Sequence, residues 1–256
     1  PFVSYDSINY NGSRLAKVLS FRDFDRDIRG NTLPQYIHVS PNMLNDGHDT
    51  SPSFAIDWVY NFLNPLLSNA EFMNRTLILL TYDESGTMTN PNHITSILLG
   101  GAIPKNLHGT VDNTFYSHYS ILSTLENNWD LPCLGRYDVG ANVFSFVASQ
   151  TNHTNKISTE FLQANYSLSY PGFLNDNPSK YLPIPPPNVK LIGAGGQGVA
   201  RIIQDAWKSS AKSNTPYDGS GMLYDGGDGH SNIGWPMYRP PAPNMDLNDI
   251  QNKKKY

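Results

Sequence analysis

The chain has 256 residues and a formal net charge of -4, and charged residues make up only 16 % of it, against about 25 % in an average soluble protein. This balance excludes a nucleic-acid binder that works through bulk positive charge, and the 39 % of hydrophobic residues excludes a disordered chain. A single cysteine excludes an internal disulfide scaffold and a cysteine-based zinc cluster.

Short apolar runs alternate with amphipathic stretches before residue 150. Tyr36–Ser40 has the composition of a strand. Apolar residues then recur every four positions, which predicts a buried helix face formed by Phe54, Trp58, Phe62 and Leu66, with Ala55, Val59 and Leu63 beside them. We expect Pro65 to kink this helix or to start a new turn.

The next elements predict an α/β sheet. Thr76–Tyr82 is a nearly continuous apolar run, which is typical of a strand in the middle of a parallel sheet. Its apolar core is far shorter than the roughly 18 residues of a membrane helix. Ile94–Leu99 is expected to form another strand, and residues 118–129 a second amphipathic helix. The predicted buried face of that helix consists of Ile121, Leu122, Leu125 and Trp129.

The pattern weakens after residue 150, where turn-forming residues dominate. We expect residues 151–256 to form a loop-rich extension packed on the domain that residues 1–150 build. Gly193–Gly198 superficially fits a glycine-rich dinucleotide loop, but no βαβ unit with a second strand follows it. A tight turn into a helix that ends near Trp207 is the better interpretation.

The first group of candidate site residues is Asp46, His48 and Asp49, which follow the predicted strand at Tyr36–Ser40. In open α/β sheets, ligands bind beyond the carboxyl ends of the strands. Side chains of these types hold metal ions or act as acid and base. The alternative is a polar loop that forms Asx turns and caps the next helix.

Asp83 and Glu84 form the second group, directly after the apolar strand. Adjacent carboxylates repel each other, and a bound divalent cation relieves that repulsion. The alternative is that the chain has simply reached solvent at this point. His118 begins the second predicted helix, where it could meet an anion beside free N–H groups or serve as an ordinary residue of the helix cap.

Four sequons, at Asn11, Asn74, Asn152 and Asn165, are candidate glycosylation sites. This number is about what chance alone would produce in such an Asn-rich chain. Cys133 is either a buried free thiol or, in a secreted protein, the partner of a cysteine outside this chain.

Several motifs together resemble the secreted fungal acid phosphatases, members of the phosphoesterase family that also contains the bacterial non-specific phospholipases C. The motifs that carry the resemblance are Ser40–Thr50, Thr81–Glu84, Ser117–Ser120 and Leu131–Ala141, together with Pro1–Ile8 and Thr215–Gly221. The resemblance implies an alkaline-phosphatase-like fold. In it, a central, mostly parallel sheet is flanked by helices, and the C-terminal portion is rich in loops.

The same resemblance implies hydrolysis of phosphate monoesters at acidic pH, through a hydroxyl nucleophile beside one bound divalent metal ion. Asp83 and Glu84 would then be metal ligands. His48 and His118 would bind phosphate or donate a proton. A phospholipase-C-like phosphodiesterase of the same family is one alternative function, and a non-catalytic secreted glycoprotein with a binding or assembly role is another.

Asp46 and Asp49 would orient a histidine or complete the polar cluster.

The family's upstream segment, which has a Glu-Asn metal-binding pair and the Ser or Thr nucleophile, has no counterpart here. We therefore expect residues 1–150 to be the C-terminal part of the catalytic core. The upstream segment would be a separate cleaved chain that stays associated, or a part of the molecule missing from this sequence, and in both cases Cys133 would bond to it. The third alternative is a shortened descendant that no longer does chemistry. The protein would be extracellular or bound to the cell wall, with oligomers allowed. No nucleic-acid partner and no membrane span are expected.

Overall fold

The computed structural model of the chain describes residues 2–86, 93–156, 186–208, 215 and 217–221. These residues divide into two compact units. The first unit contains residues 2–78 and 98–102, and the second contains the described residues of 79–97 and those from 103 onward. The domain boundary expected at residue 150 stays a prediction, because residues 157–185 just beyond it lie outside the described ones.

Helices and strands are mixed along the described chain, which confirms an α/β composition at the coarse level. In chain order, the elements are a 3-10 helix at Phe2–Ser4, α1 (Asp6–Asn9), α2 (Gly12–Leu15), α3 (Phe21–Gly30), α4 (Pro52–Leu67), α5 (Ala70–Met73), β1 (Ile78–Thr81), β2 (Ser96–Leu99), a 3-10 helix at Lys105–Leu107, α6 (Tyr119–Trp129), α7 (Ser145–Thr151) and α8 (Arg201–Ala206). Within the described residues, no helix combines the length and the apolar character that crossing a membrane requires.

The helix predicted from the four-residue periodicity is confirmed as α4, and Pro65 lies inside it. Ser51 caps its N-terminus by accepting a hydrogen bond from the backbone N–H of Phe54 at 3.3 Å. The buried side chains of the helix are Ala55, Leu63 and Leu66. Phe54 is 48 % exposed, so this part of the predicted face was wrong. The chain before the helix packs close to Ala55. A Cβ added at Gly47 would lie 3.5 Å from the Cβ of Ala55.

The strand predicted at Tyr36–Ser40 was wrong. These residues are in no strand, and Tyr36 and Ile37 are 46 % and 38 % exposed. An extended segment becomes a strand only when a neighbour pairs with its backbone. In the part of the chain that the structure describes, nothing pairs with this segment.

The strands predicted at Thr76–Tyr82 and Ile94–Leu99 are confirmed in shortened form as β1 and β2, which pair with each other. Thr81 Oγ1 lies 2.7 Å from Ser96 Oγ at one end of the pair. The N–H of Ala102 donates to the carbonyl oxygen of Thr76 at 3.1 Å at the other end. The chain therefore reverses between the strands, which run antiparallel, whereas a parallel pair would need a crossover connection. Among the described residues no mostly parallel sheet is found.

The second predicted helix is confirmed as α6, with His118 at its N-cap. Its predicted apolar face is only partly buried. The side chains that are buried are Ser120, Ser123, Thr124 and Glu126. The backbone of residues 141–144 lies against this polar side: Ser123 donates to the carbonyl oxygen of Ala141 at 2.8 Å, and Thr124 accepts from the N–H of Phe144 at 3.0 Å. Small hydroxyl residues allow that close approach.

The glycine-rich segment is a tight turn, as the sequence favoured. The N–H of Gly193 donates to the carbonyl oxygen of Gln197 at 2.9 Å, and α8 follows the turn. A Cβ at Gly193 would lie 2.5 Å from the Cβ of Cys133, so this glycine is required by a close approach. The turn covers a small core made of Cys133, Val139 and Val199, with Leu191 and Ile203 packed against them.

Candidate functional site

A polar turn at residues 42–50 precedes α4 and carries three of the predicted site residues. The backbone N–H groups of Asn45 and Asp46 donate to the carbonyl oxygen of Asn42 at 2.9 and 3.0 Å. The side-chain oxygen of Asn42 accepts a second bond from the N–H of Asn45 at 3.0 Å. The N–H of His48 donates to Asp46 Oδ1 at 2.8 Å, which is an Asx turn. Local hydrogen bonds therefore fix the shape of the polar turn.

The hydrogen bonds of the polar turn are donated mostly by backbone N–H groups. Asp46 Oδ1 contacts the backbone N–H of His48 and not its imidazole. The N–H of Asp49 donates to the carbonyl oxygen of Met43 at 2.9 Å. Gly47 has φ +95°, a left-handed value that glycine adopts without strain. His48 and Asp49 are left exposed to solvent.

Asp83 and Glu84 lie just beyond β1, and both are exposed. Asp83 Oδ1 accepts a hydrogen bond from the backbone N–H of Glu84 at 2.9 Å. His118 Nε2 lies 2.7 Å from the carbonyl oxygen of Asp83. Because a carbonyl oxygen only accepts, this contact places a proton on Nε2. The structure thus brings two of the predicted groups, 35 residues apart in sequence, into direct contact.

A hydrogen-bond network just before His118 was not predicted from the sequence. Tyr116 donates to Asp112 Oδ2 at 2.6 Å, and the N–H of Thr114 donates to Asp112 Oδ1 at 2.9 Å. Ser145, the first residue of α7, donates its N–H to the hydroxyl of Tyr116 at 2.8 Å. Burial acts against ionisation of Asp112, but these hydrogen bonds outweigh it and hold the pKa of Asp112 below its ordinary value. The network fixes the segment that leads to His118.

The donor set for a metal ion is incomplete among the described residues. Asp83 and Glu84 offer hard oxygen donors, which suit a divalent cation. No group of three or more His, Cys, Asp or Glu side chains converges anywhere in the described ranges. The two carboxylates fit part of a metal site, and further ligands would have to come from elsewhere.

Glu126 and Asp138 form a buried pair of carboxyl groups that sequence reasoning also missed. They are 4 % and 1 % exposed. Asp138 accepts hydrogen bonds from the backbone N–H groups of Leu134 and Arg136 at 2.6 and 2.8 Å. Burial, together with the charge of Asp138 and a hydrogen bond to it, raises the pKa of Glu126 to about 9. Glu126 is thus an uncharged acid at neutral pH.

The sequons at Asn11, Asn74 and Asn152 are exposed, and Asn165 lies outside the described residues. Exposure is compatible with glycosylation, which stays a prediction. Cys133 is a free thiol with 0 % exposure. This placement agrees with the interpretation of Cys133 as a buried free thiol. It does not support the expected disulfide to an upstream fragment.

The chain is similar to several fungal enzymes. A probable acid phosphatase of Kluyveromyces lactis is 46 % identical over 209 residues, which cover 81 % of this chain and 48 % of that protein. An acid phosphatase of Aspergillus fumigatus is 42 % identical over 227 residues, covering 85 % and 50 %. One from Aspergillus niger is 40 % identical over 209 residues, covering 81 % and 50 %. The chain thus spans about half the length of the curated relatives it matches.

No solved structure matches the chain. The family model for phosphoesterases matches residues 4–132, about half of the chain. That match contains the polar turn, the two carboxylates after β1 and the histidine at the start of α6. The resemblance seen in the motifs is therefore confirmed, and the chain belongs to the phosphoesterase family.

Proposed function

We propose that the protein containing this chain is an acid phosphatase, which hydrolyses phosphate monoesters at acidic pH. The observation that carries the proposal is the similarity, at 39 to 46 % identity, to four fungal proteins named as acid phosphatases or a probable one. The phosphoesterase match includes all the polar groups to which the motifs gave roles. For the whole protein we propose the alkaline-phosphatase-like fold, with strands beyond the described antiparallel pair.

His118 is proposed to act on the phosphoryl group. Its Nε2 is engaged with the carbonyl oxygen of Asp83 at 2.7 Å, which leaves Nδ1 as the nitrogen that can take up a proton in acid. A doubly protonated imidazole donates to a phosphoryl oxygen or protonates the leaving oxygen. The hydrogen bond to the carbonyl oxygen of Asp83 would fix the imidazole ring while Nδ1 donates its proton.

Asp83 and Glu84 are proposed to supply two oxygen ligands to one divalent metal ion. When bound, such an ion neutralises charge on the nucleophile and on the phosphoryl oxygens. The two carboxylates would also be relieved of their mutual repulsion. We propose that the remaining ligands and the hydroxyl nucleophile lie outside the described residues.

The polar turn is proposed to present a second phosphate-binding group. The Asx turn fixes the backbone of His48 while its imidazole stays exposed. Positive charge on this ring in acid would favour the binding of a phosphate anion. Asp46 contributes by holding the turn, so its effect on the reaction is one of positioning.

The test is the double substitution Asp83→Asn with Glu84→Gln in the complete natural protein. We expect metal content and hydrolysis of 4-nitrophenyl phosphate both to fall to background, because amides bind divalent cations far more weakly than carboxylates do. Asp57→Asn with Glu71→Gln is the matched control, since it neutralises two other exposed acids. Metal content by elemental analysis and kcat/KM are the measurements.

Unchanged metal content and activity in the Asp83→Asn, Glu84→Gln protein would refute the site assignment. Phosphatidylcholine vesicles serve as a second substrate. Hydrolysis of the phospholipid without hydrolysis of the monoester would favour the phospholipase-C-like alternative. Hydrolysis of neither by a correctly folded wild-type protein would favour a non-catalytic glycoprotein.

We also propose that the protein is secreted and glycosylated, at the cell wall or beyond it. The exposure of Asn11, Asn74 and Asn152 supports this proposal, since a glycan needs an accessible side chain. The intact mass before and after enzymatic removal of N-linked glycans tests it, and an unchanged mass would refute it.

A further inference from the structure

Tyr116 lies in the loop of residues 112–117, which leads to α6, and its hydroxyl group joins this loop to the start of α7. The hydroxyl donates to Asp112 Oδ2 at 2.6 Å and accepts from the backbone N–H of Ser145 at 2.8 Å. Ser145 Oγ lies 2.8 Å from the same oxygen and 2.8 Å from Thr114 Oγ1. One phenol oxygen therefore connects the loop with the first residue of α7.

The proton of the Tyr116 hydroxyl is committed to Asp112. Burial disfavours the charge of Asp112, but its hydrogen bonds outweigh that effect and keep its pKa below the ordinary value. An ionised carboxylate only accepts hydrogen bonds, so the phenol must donate to it. Tyr116 has a single proton and has none left to give to a substrate. Its position in this network is therefore that of a group that holds structure.

The loop is also held by contacts on either side of this hydroxyl. The carbonyl oxygen of Phe115 accepts from Nδ2 of Asn142 at 2.9 Å, and Asn142 is 2 % exposed. The ring of Tyr116 meets that of Phe144 edge-on, with the centroids 5.3 Å apart. Phe144 in turn donates its N–H to Thr124 Oγ1 of α6 at 3.0 Å. The loop is thus fixed against both α6 and α7.

His118, the N-cap residue of α6, begins where this fixed loop ends. The N–H of Ser117 donates to Ser120 Oγ at 3.2 Å, which joins the loop to the first turn of the helix. The imidazole of His118 is exposed and reaches the carbonyl oxygen of Asp83 through Nε2. Tyr116 and all of these residues belong to the second unit. Because α6 holds His118 only from its C-terminal side, the direction of the ring also depends on how the loop before it is held.

We propose that Tyr116 is a positioning residue for His118. Together with Asp112 and Ser145, it fixes the loop so that the imidazole stays against the carbonyl oxygen of Asp83 and Nδ1 keeps one orientation. The inference rests on the proposed function, because it gives Tyr116 a part in the reaction assigned to His118. Displacing a catalytic group by about 1 Å can lower a rate about 100-fold, so the anchor of the loop matters to the reaction.

The test removes the phenol oxygen in the complete natural protein. Tyr116→Phe keeps the ring against Phe144 and loses the hydrogen bonds of the hydroxyl. Tyr60→Phe is the matched control, since it makes the same change at a side chain that is 66 % exposed. The substrate is 4-nitrophenyl phosphate, and kcat and KM are measured separately. Thermal melts show whether each variant is fully folded at the assay temperature, because unfolded protein would lower the apparent kcat.

We expect kcat to fall roughly 10- to 100-fold in Tyr116→Phe, because misplacing a catalytic group costs about this much. KM should change little. A displaced imidazole keeps its charge, whose attraction falls slowly with distance, whereas its hydrogen bond to a reacting oxygen is lost after a small displacement. Tyr60→Phe should leave both constants unchanged. Asp112→Asn removes the charge to which the phenol donates and should lower kcat by a smaller factor, which keeps the proposal testable if Tyr116→Phe does not fold.

A second comparison shows whether Tyr116 acts through His118. Tyr116→Phe is introduced again into the His118→Asn protein, where the imidazole is already absent. We expect its effect on kcat to disappear there, because changes that act on the same group are not additive. A purely structural role for Tyr116 would lower kcat by the same factor with and without His118.

An unchanged kcat in both Tyr116→Phe and Asp112→Asn would overturn this inference alone and leave the proposed function standing. An equal loss with and without His118 would also overturn it, as would a rise in KM without a fall in kcat. If His118→Asn had too little activity to measure, a lower kcat at constant KM in the folded Tyr116→Phe protein would support the inference. Failure of the wild type to hydrolyse the substrate would overturn the proposed function.

Discussion

The side chain of Glu126 is buried and shielded from water. It lies in α6 with 4 % exposure and faces Asp138, which is itself 1 % exposed. Two carboxylates this deeply buried are costly unless one of them keeps its proton. With a pKa of about 9, Glu126 keeps the proton and shares it with Asp138 through a hydrogen bond. The pair thus links α6 to the segment that contains Asp138.

This arrangement predicts that stability falls as pH rises. The ordinary glutamate pKa is 4.5 and that of folded Glu126 is about 9, so the unfolded chain releases this proton first. The stabilising contribution is complete below about pH 4.5 and is lost progressively up to about pH 9. Glu126→Gln stays neutral throughout and can donate an amide N–H to Asp138. We expect its Tm to decrease less than that of the wild type between pH 5 and pH 8.

Thermal melts at the two pH values measure the effect. Glu71→Gln is the control, because it makes the same change at an exposed glutamate. If Glu126→Gln and the wild type lost the same stability over this range, Glu126 would have to be ionised in the folded protein at neutral pH.

The glycine-rich turn before α8 provides a prediction at the scale of an element. A Cβ at Gly193 would lie 2.5 Å from the Cβ of Cys133, whereas at Gly198 it would meet no atom within 4 Å. We expect Gly193→Ala to destabilise the protein by about 1–3 kcal/mol, as overpacked sites do. Gly198→Ala, the matched control, should leave the free energy of unfolding nearly unchanged. Denaturant unfolding measures both, and equal effects would contradict the packing role of Gly193.

At the same scale, the elements that the sequence predicted correctly share a strong local signal. The apolar four-residue period marked α4, and an uninterrupted apolar run marked β1. The segment Tyr36–Ser40 has a similar composition but is no strand, because pairing depends on a neighbour that composition does not specify. For α6 the extent was right, but the predicted face is only partly buried, since the backbone of residues 141–144 determines which side is covered.

The residues of the candidate site, too, could be predicted only where a local sequence signal marks them. The polar turn, Asp83 and His118 could be singled out because each lies at the boundary of an element. That His118 donates to the carbonyl of Asp83 could not be predicted, because the contact spans 35 residues. The hydrogen bonds among Asp112, Tyr116 and Ser145 could not be predicted either, because Ser145 lies 29 residues from Tyr116 and no local pattern distinguishes these three residues.

At the scale of the whole molecule, the single cysteine bears on how the chain could be linked covalently to another segment. The expectation of a disulfide to an upstream fragment required Cys133 to be reachable. Instead, Cys133 lies under the glycine-rich turn with Val139 and Val199, fully shielded from solvent. A sulfur on another chain could reach Cys133 only if this small core opened. We therefore predict that any association with a further segment is non-covalent at this residue.

Thiol labelling tests this conclusion. Burial, and secondarily the charge of Asp138, raises the pKa of Cys133 to about 11, so the reactive thiolate is scarce at pH 8. We expect no reaction with Ellman's reagent in the folded protein and reaction of Cys133 after unfolding in denaturant without reductant. The variant Cys133→Ala provides the blank, because this is the chain's one cysteine. If Cys133 in the unfolded wild type reacted only after a reductant was added, the residue would be disulfide-bonded, and the interpretation of a shielded free thiol would be wrong.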